Sequence, residues 1–365
     1  MQSNQPQFHG SDLETIAAYY HISQNDIINY SSNVNPLGLS EAFQAAVAQH
    51  ITCVCSYPDR NYTTLKHAIA SYCHTVPERL LIGSGATELI SLLIQGVHPK
   101  KALLIQPTYS EYEREIRLHH GEIHSFYLSQ EDDFRPNPSA LIRALTEDYD
   151  LLILCNPNNP TGTLWTQDQL RSILAHCQRH NIMVLIDETY IEFTENEEEV
   201  NAIQLTNEFV NLFVIRGVSK FFSAPGLRLG YGVTSNEELL TYICQSLNPW
   251  NVHSIAAVCG SALFEDRTFI KQTQTFIANE RRRVLHLLKE IHRLHVYPMS
   301  SNFVLLRILD PSISSEDTFE MAIHRNMMLR NCSSFPGLSH NHIRFCLQMP
   351  EQNDLLIQFF RETFS

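Results

Sequence analysis

The sequence lacks an excess of basic residues and has no long uninterrupted hydrophobic run. Lys and Arg number 26 against 39 Asp and Glu, giving a formal net charge of −13. No basic stripe offsets this charge, which argues against binding to a nucleic-acid backbone. A small anionic ligand is not excluded, because a few arginines in a cleft set the local field. No apolar run is long enough to span a bilayer, and the first residues lack a signal-peptide pattern.

Cysteine pairs at metal-binding spacing are also lacking. The nine cysteines are scattered, and the C-x-C of Cys53 and Cys55 has no second pair after it. This pattern indicates buried thiols, and we expect no metal site. Together with the missing signal pattern, it predicts a reduced, cytoplasmic protein. The chain has no internal repeat, and its 365 residues are enough for two domains.

From Leu80 onward, apolar strand patterns alternate with helical patterns, which is typical of a parallel α/β sheet. After about residue 250 this alternation becomes less regular, and a long amphipathic helix is predicted near 269–291. We therefore expect a large domain over 46–250 and a small domain over 251–365, with residues 1–45 packing against the small domain. Strands are predicted at 102–105, 123–127, 151–154, 183–186 and 212–215.

Two polar segments follow predicted strands of this sheet. They are NPNNPTG, residues 156–162, and DETY, which runs from Asp187 to Tyr190. Ligands of open α/β sheets bind at the carboxyl ends of strands, where both segments fall. Asp187 could hydrogen-bond a protonated pyridine nitrogen, while Asn159 and Tyr190 could share a ring hydroxyl. The alternatives are a helix N-cap for Asp187 and an inert loop for NPNNPTG.

A single lysine, Lys220, lies in the small, apolar and aromatic stretch VIRGVSKFFSAPGLRLGYGV. Lysine is rarely buried without a partner, and burial favours the neutral amine that condenses with an aldehyde. Ser219 and Arg228 could hold the phosphate of an aldehyde cofactor, for which pyridoxal phosphate (PLP) is the candidate. The alternative is a surface lysine on a turn before Pro225-Gly226.

Further anion-binding groups occur in two other places. In LLIGSGATELI, Gly83, Gly85 and Thr87 place backbone N–H groups and a hydroxyl at a helix N-terminus. This turn lacks the third glycine of a dinucleotide site and the GK[ST] of a P-loop, which argues against a nicotinamide oxidoreductase. The guanidinium groups of Arg330 and Arg344 can each donate two parallel hydrogen bonds to a carboxylate or a phosphate. The alternative is that each is a surface residue or a member of an internal ion pair.

The segments SGATELI, NPNNPTG, DETY and SKFFSAPGLRLGY together resemble the fold-type I PLP enzymes of the aspartate aminotransferase superfamily, over nearly the whole chain. The resemblance implies an α/β fold of the aspartate aminotransferase type. Such a fold has a mostly parallel central sheet, helices on both faces and a smaller α+β domain. Within the superfamily, the chain resembles the histidinol-phosphate aminotransferases and, more closely, the L-threonine-O-3-phosphate decarboxylases of cobalamin synthesis. The closer resemblance comes from His9-Gly10, NVNPLG, NPWNVHSIAA and LRNCSSFPGL.

The resemblance also implies roles for individual residues. Lys220 would carry PLP as a Schiff base and later transfer protons, and Asp187 would pair with the pyridine nitrogen. The other implied cofactor contacts are Ala86, Thr87, Tyr109, Asn159, Tyr190, Ser219, Arg228 and, from the second subunit of a homodimer, Tyr57. The implied substrate contacts are His9, Asn35, Asn159, Arg330 and Arg344.

The expected reaction is decarboxylation of L-threonine O-3-phosphate to (R)-1-amino-2-propanol phosphate. The alternative is transamination of histidinol phosphate, or of a related substrate, with 2-oxoglutarate. One cofactor supports both reactions, because the bond that breaks is the one held perpendicular to its ring, and the protein decides this by anchoring the substrate. A third hypothesis is a binding or regulatory protein of the same fold without catalysis. In each case the expected ligand is a small phosphorylated amino compound, without nucleic acid or membrane.

Overall fold

The computed structural model describes residues 12–145 and 148–364. Its α-helices are α1 (Leu13–Tyr20), α2 (Glu41–His50), α3 (Thr63–Cys73), α4 (Ala86–Val97), α5 (Ser110–Leu118), α6 (Pro138–Ala144), α7 (Gln167–Arg179), α8 (Glu197–Val200), α9 (Glu237–Ser246), α10 (Ser254–Cys259), α11 (Ser261–Glu265), α12 (Arg267–Leu288), α13 (Ser315–Ile323) and α14 (Pro350–Phe364). Its strands are β1 (Ile28–Asn29), β2 (Leu80–Gly83), β3 (Lys101–Gln106), β4 (Glu122–Tyr127), β5 (Leu151–Cys155), β6 (Met183–Asp187), β7 (Leu212–Gly217), β8 (Gly230–Val233), β9 (Leu294–Val296), β10 (Phe303–Ile308), β11 (Met327–Met328), β12 (Arg330–Asn331) and β13 (His342–Cys346).

A seven-stranded sheet forms the centre of the described chain, in the order β2-β8-β7-β6-β5-β3-β4. Strands β3 to β7 pair in parallel, whereas β8 runs antiparallel to both β2 and β7. The parallel strands β5 and β7 are buried along their whole length, as continuous apolar runs predict. The predicted mostly parallel sheet of an α/β fold is thus confirmed.

Helices cover both faces of this sheet, and β5 shows the division between them. Leu152 and Leu154 point into one hydrophobic core, while Leu151 and Ile153 point into a second core on the other face. Successive side chains of a strand alternate between faces, so a strand that is apolar at every position needs cover on both sides. Helices α4, α5 and α9 pack together on the second face, and α6 and α7 pack together on the first.

The C-terminal part contains a four-stranded antiparallel sheet in the order β12-β13-β10-β9. Helix α12 has 22 residues and packs against α14. The short strand β1 pairs in parallel with β11, with Ile28 opposite Met327, so the N-terminal segment contacts the C-terminal part. Helices α10 and α11 instead pack against α2 and α3. The proposed domain limits at residues 45 and 250 stay a prediction.

The two main sheets bring polar groups together. Asp187 is the last residue of β6, Asn159 follows β5, and Lys220 follows β7, so all three lie beyond the carboxyl ends of adjacent parallel strands. Arg330 and Arg344 come from β12 and β13 of the C-terminal sheet, where they are direct cross-strand partners. None of the described helices is long and apolar enough to cross a membrane.

Candidate active site

A cavity of about 360 Å³ lies at the carboxyl ends of the parallel strands. Its walls come from both sheets and from the loop between β1 and α2. The predicted site residues that line it are Ala86, Thr87, Tyr109, Asn159, Asp187, Tyr190, Ser219, Lys220, Arg228, Arg330 and Arg344. Residues that are up to about 260 positions apart in the sequence therefore meet at one cavity.

Lys220 presents its amine to this cavity. Its Nζ donates to the Ser32 carbonyl oxygen at 2.6 Å. Burial, reinforced by the positive charge of Arg344, lowers the pKa of the Lys220 ammonium from 10.5 to about 8. A depressed pKa provides the neutral amine that attacks an aldehyde near neutral pH. Lys220 therefore lines the cavity and has a lowered pKa, as a nucleophilic amine requires.

The backbone around Lys220 is fixed by the loop that precedes α2. The Asn35 N–H donates to the Lys220 carbonyl at 3.0 Å, and the Asn35 side-chain amide donates to the Phe221 carbonyl at 2.8 Å and to Thr273 Oγ1 at 3.2 Å. Ser223 Oγ donates to the Asn35 carbonyl at 3.2 Å. Asn35 is buried and does not line the cavity. In this position Asn35 fixes the backbone around Lys220. Its contact with substrate stays a prediction, and the buried position of Asn35 does not support it.

Asp187 is buried at the end of β6, with a side chain that accepts three hydrogen bonds. Thr189 donates to Oδ1 from its backbone N–H at 2.9 Å and from its hydroxyl at 2.5 Å, and the Tyr112 hydroxyl donates to Oδ2 at 2.6 Å. Burial raises the pKa of Asp187, and these hydrogen bonds counteract the rise. Asp187 thus presents a buried carboxyl group with its orientation fixed by hydrogen bonds beside the cavity, as a partner for a cationic ring nitrogen requires.

Aromatic and amide groups surround the same part of the cavity. The Tyr190 hydroxyl accepts a hydrogen bond from the Asn33 amide at 3.2 Å, and burial raises the pKa of Tyr190. Tyr109 lies at the N-terminus of α5, and burial raises its pKa to about 12. Both phenols are therefore protonated at neutral pH and can donate a hydrogen bond to a ring hydroxyl or present an aromatic face to a planar ring.

The N-terminus of α4 forms an anion cradle together with Arg228. A Cβ on Gly85, which has a φ of +86°, would lie 2.4 Å from Arg228 Nη2. A Cβ on Gly230 would lie 2.5 Å from the Ala86 backbone nitrogen. Only glycine allows the β8 backbone and the guanidinium to approach the helix end this closely. Free N–H groups, a helix dipole and an arginine then converge on one point, where a phosphate would bind.

Arg330 and Arg344 line the C-terminal side of the cavity. Arg344 is buried, and its guanidinium donates to Asn159 Oδ1 and, at 2.8 Å, to the Ser31 carbonyl. Arg330 lies over the Phe335 ring at 5.2 Å and donates to Ser334 Oγ at 3.2 Å. Burial and the charge of Arg344 lower the pKa of Arg330. Two like charges opposite each other on adjacent strands repel, and an anion bound between them removes this cost.

Two predicted site residues remain, and of these Tyr57 does not line the cavity in the described chain. His9 lies outside the described residues. Tyr57 is 78% exposed, and its ring lies 4.5 Å from that of Trp250, away from the cavity lining. Its predicted contact comes from a second subunit, so its position in a single chain does not test that contact.

Sequence reasoning missed several residues that line the cavity. Asn33 contacts Tyr190, whereas Asn35 of the same NVN segment is turned into the protein. Ser32 supplies the carbonyl that accepts from Lys220. Tyr112 is the partner of Asp187, and its position one helical turn after Tyr109 was an available signal. The contacts of Ser32 and Asn33 depend on the path of a loop, for which the sequence carried no signal.

These residues fit PLP. A buried carboxylate held by hydrogen bonds suits a pyridine nitrogen, the glycine-lined helix end suits a phosphate, and a lysine with a depressed pKa suits the aldehyde. All three groups line one cavity. Asp187, the α4 N-terminus with Arg228, and Lys220 would hold the ring nitrogen, the phosphate and the aldehyde carbon, respectively.

Known proteins resemble this chain along most of its length. A threonine-phosphate decarboxylase from Salmonella typhimurium is 31% identical, with 98% of this chain and 96% of that protein covered. A histidinol-phosphate aminotransferase from Methanosphaera stadtmanae is 28% identical, with 97% and 95% covered. The crystal structure of a histidinol-phosphate aminotransferase from Clostridium acetobutylicum superimposes with a TM-score of 0.86 at 30% identity, covering 92% of this chain and 98% of that one. The profile of the family "Aminotransferase class I and II" matches residues 25–359. The chain therefore belongs to the class I and II aminotransferase family of PLP-dependent, fold-type I enzymes.

Proposed function

We propose that this enzyme decarboxylates L-threonine O-3-phosphate to (R)-1-amino-2-propanol phosphate, a reaction of cobalamin synthesis. The 31% identical relative with nearly full mutual coverage is named threonine-phosphate decarboxylase. A 32% identical relative from Leptospira interrogans, of which this chain covers 41%, is named an adenosylcobalamin biosynthesis bifunctional protein. These names support both the substrate and the pathway.

The observation that carries the proposal is the arginine pair. Arg330 and Arg344 are cross-strand partners on the C-terminal side of the cavity, and Lys220 lies on the side of the large sheet. A phosphate dianion matches two guanidinium groups better than a single carboxylate does. A substrate with an amino group at one end and a phosphate at the other would therefore span the cavity from Lys220 to the arginines.

If both arginines hold the phosphate, the other cationic residues that line the cavity in the described chain are Lys220 and Arg228, which would hold the cofactor, so none of these is left to clamp the substrate carboxylate. PLP, when bound, supplies an electron sink for the pair released at Cα. The arginines would position the substrate so that the bond from Cα to the carboxylate stands perpendicular to that plane. Asp187 would hold positive charge at the ring nitrogen, and the Lys220 amine would deliver a proton to Cα once carbon dioxide has left.

A product assay tests the proposal. The PLP-loaded protein is incubated in D₂O with L-threonine O-3-phosphate, and carbon dioxide and aminopropanol phosphate are measured by mass spectrometry. We expect equal amounts of both products and one deuterium at the former Cα, because Lys220 exchanges its protons with solvent. Glutamate formation from histidinol phosphate and 2-oxoglutarate, without carbon dioxide from phosphothreonine, would refute the proposal.

Two variants separate the contributing groups. Lys220→Ala should lose turnover while the protein stays folded. Arg330→Gln removes the charge of the less buried arginine, and loss of one charge-assisted hydrogen bond predicts roughly a 10- to 100-fold fall in kcat/KM, mostly through KM. Unphosphorylated L-threonine should be a poor substrate for the native enzyme, and its rate should change little in Arg330→Gln. Equal loss with both substrates would contradict the phosphate assignment.

Histidinol-phosphate aminotransferase is the second candidate. The Methanosphaera stadtmanae relative and the Clostridium acetobutylicum structure, at 28% and 30% identity, both carry this name. Histidinol phosphate has a phosphate but no carboxylate, so the same two arginines would serve it and only proton loss from Cα would follow. The assay above distinguishes the two functions by the release of carbon dioxide.

We also propose that the enzyme acts as a homodimer in which Tyr57 reaches the cofactor phosphate of the neighbouring subunit. Tyr57 is 78% exposed and lies in an apolar surface region with Val54 and Trp250, which are 59% and 40% exposed. An exposed aromatic cluster of this kind marks an interaction surface. Analytical ultracentrifugation should show twice the 41.9 kDa of the chain.

A further inference from the structure

The buried Tyr112 stands beside the proposed cofactor-binding groups without a role in the chemistry described so far. It is 1% exposed and lies in the first turn of α5. Its hydroxyl donates to Asp187 Oδ2 at 2.6 Å, and its ring meets that of Tyr109 edge-to-face, with centroids 5.6 Å apart. One side chain therefore contacts both the acid expected at the ring nitrogen and the aromatic ring expected on the ring face.

Hydrogen bonds, and no cationic side chain of the described residues, offset the burial of Asp187. Thr189 occupies Oδ1 with two donors, so Tyr112 is the described side chain that donates to Oδ2. A carboxylate in low dielectric remains ionised only when donors favour the charged form. The charge of Asp187 thus depends on three donors, of which Tyr112 supplies one from a separate helix.

The groups that face Asp187 from neighbouring elements are neutral near pH 7. Tyr109 and Tyr112 come from the start of α5, Cys155 from the end of β5 and Tyr190 from the turn after β6. Burial raises the pKa of all four, so none of them titrates together with the carboxylate near neutrality. Asp187 therefore responds to a change in its hydrogen-bond donors and not to the ionisation of these four groups.

We propose that Tyr112 is a positioning residue that keeps Asp187 ionised and aimed at the cofactor ring nitrogen, and thereby sets the strength of the electron sink. Without the hydroxyl, Asp187 protonates more readily and the ring nitrogen keeps less positive charge. A less positive ring repels a proton on the Lys220 nitrogen less strongly, so that nitrogen binds its proton more tightly. The inference rests on the PLP dependence of the family and not on the identity of the substrate.

The test uses Tyr112→Phe, which removes one oxygen and keeps the ring contact with Tyr109. The visible absorbance of the PLP-loaded enzyme is titrated with pH in the absence of substrate, so failure of the proposed decarboxylation does not affect the result. We expect the pH midpoint of this titration to rise by on the order of 0.5 pH unit. A hydrogen bond to a charged group corresponds to about one pKa unit, and only part of this change at Asp187 reaches the Lys220 nitrogen through the ring. PLP should also dissociate faster, and kcat should fall roughly tenfold with KM nearly unchanged.

Two further variants keep the inference falsifiable. Thr189→Val removes a donor from Oδ1 of Asp187 and should move the midpoint in the same direction. Tyr297→Phe removes a buried hydroxyl that contacts His342 outside the cavity, and should change neither the midpoint nor PLP release. A midpoint for Tyr112→Phe equal to that of the native enzyme, with only the melting temperature lowered, would overturn the inference and leave Tyr112 as a packing residue.

Discussion

Replacement of Glu192 by Gln should make the protein more stable above neutral pH. Glu192 is fully buried just after Tyr190, and neither of its carboxylate oxygens has a hydrogen-bond partner among the described residues. The nearby Arg216 is already shared, donating from Nε to Glu188 at 2.9 Å and from Nη1 to Glu197 at 3.0 Å. The Arg216 guanidinium therefore faces three carboxyl groups. Because it pairs with the other two, Glu192 is favoured in its neutral form.

The size of the effect follows from the pKa of Glu192. Burial, partly offset by Arg216 and reinforced by Glu197 and Glu188, raises this pKa from 4.5 to about 8. Between these two values the folded state binds one proton more than the unfolded state, so the free energy of unfolding falls as pH rises. Each pKa unit corresponds to about 1.4 kcal/mol, which gives an upper limit of about 5 kcal/mol above pH 8. Glutamine carries no proton to lose and avoids this cost.

The measurement is urea unfolding of the PLP-loaded enzyme at several pH values between 5 and 8.5. Glu192→Gln should match the native protein near pH 5 and exceed it increasingly toward pH 8. Tyr72, Cys73 and Tyr231 also lie near Glu192, and burial raises their pKa values, so they do not titrate in this window. Glu188, whose pKa burial also raises, is present in both proteins. Glu199→Gln, at an exposed position seven residues later, is the matched control. An unchanged pH slope in Glu192→Gln would refute the reasoning.

Three further predictions concern the candidate site. Gly230→Ala should weaken PLP binding at least tenfold by equilibrium dialysis, because its Cβ meets backbone 2.5 Å away, whereas Gly226→Ala, with no atom within 4 Å, should bind normally. Arg344→Lys should lower kcat/KM by roughly 100-fold, since an ammonium cannot contact Asn159, the Ser31 carbonyl and a substrate anion together. Mixing Tyr57→Ala with Lys220→Ala chains should restore activity through hybrid dimers with one intact site, and no recovery would contradict the shared site.

The elements that the sequence predicts well are those whose burial is uniform. The predicted strands 151–154 and 183–186 appear as Leu151–Cys155 and Met183–Asp187, because strands covered on both faces read as continuous apolar runs. The helix predicted at 269–291 appears as Arg267–Leu288 through its regular apolar stripe. In these cases the local pattern and the tertiary environment demand the same residues.

The sequence fails where a distant contact decides the structure. Residues 254–265 form two short helices, α10 and α11, that meet at Gly260, where a Cβ would lie 2.4 Å from the Ala256 carbonyl oxygen and 3.0 Å from Leu229. Strand β8 is short and half glycine, so no apolar run marks it. Asn33 and Asn35 were equivalent as sequence, and only the loop path determines which one faces the cavity.

The loop of residues 30–33 is attached to the C-terminal part of the chain by hydrogen bonds from a backbone N–H of β13 and from a side-chain amide. The Tyr30 carbonyl accepts from β13, the Asn33 carbonyl accepts from Asn302, and the β1–β11 pairing lies just ahead of them. A rotation of the C-terminal sheet would carry this loop with it. The Ser32 carbonyl would then leave the Lys220 amine in the same movement that opens the arginine side of the cavity. The acceptor of the Lys220 amine and the two arginines of the cavity therefore belong to one hydrogen-bonded unit.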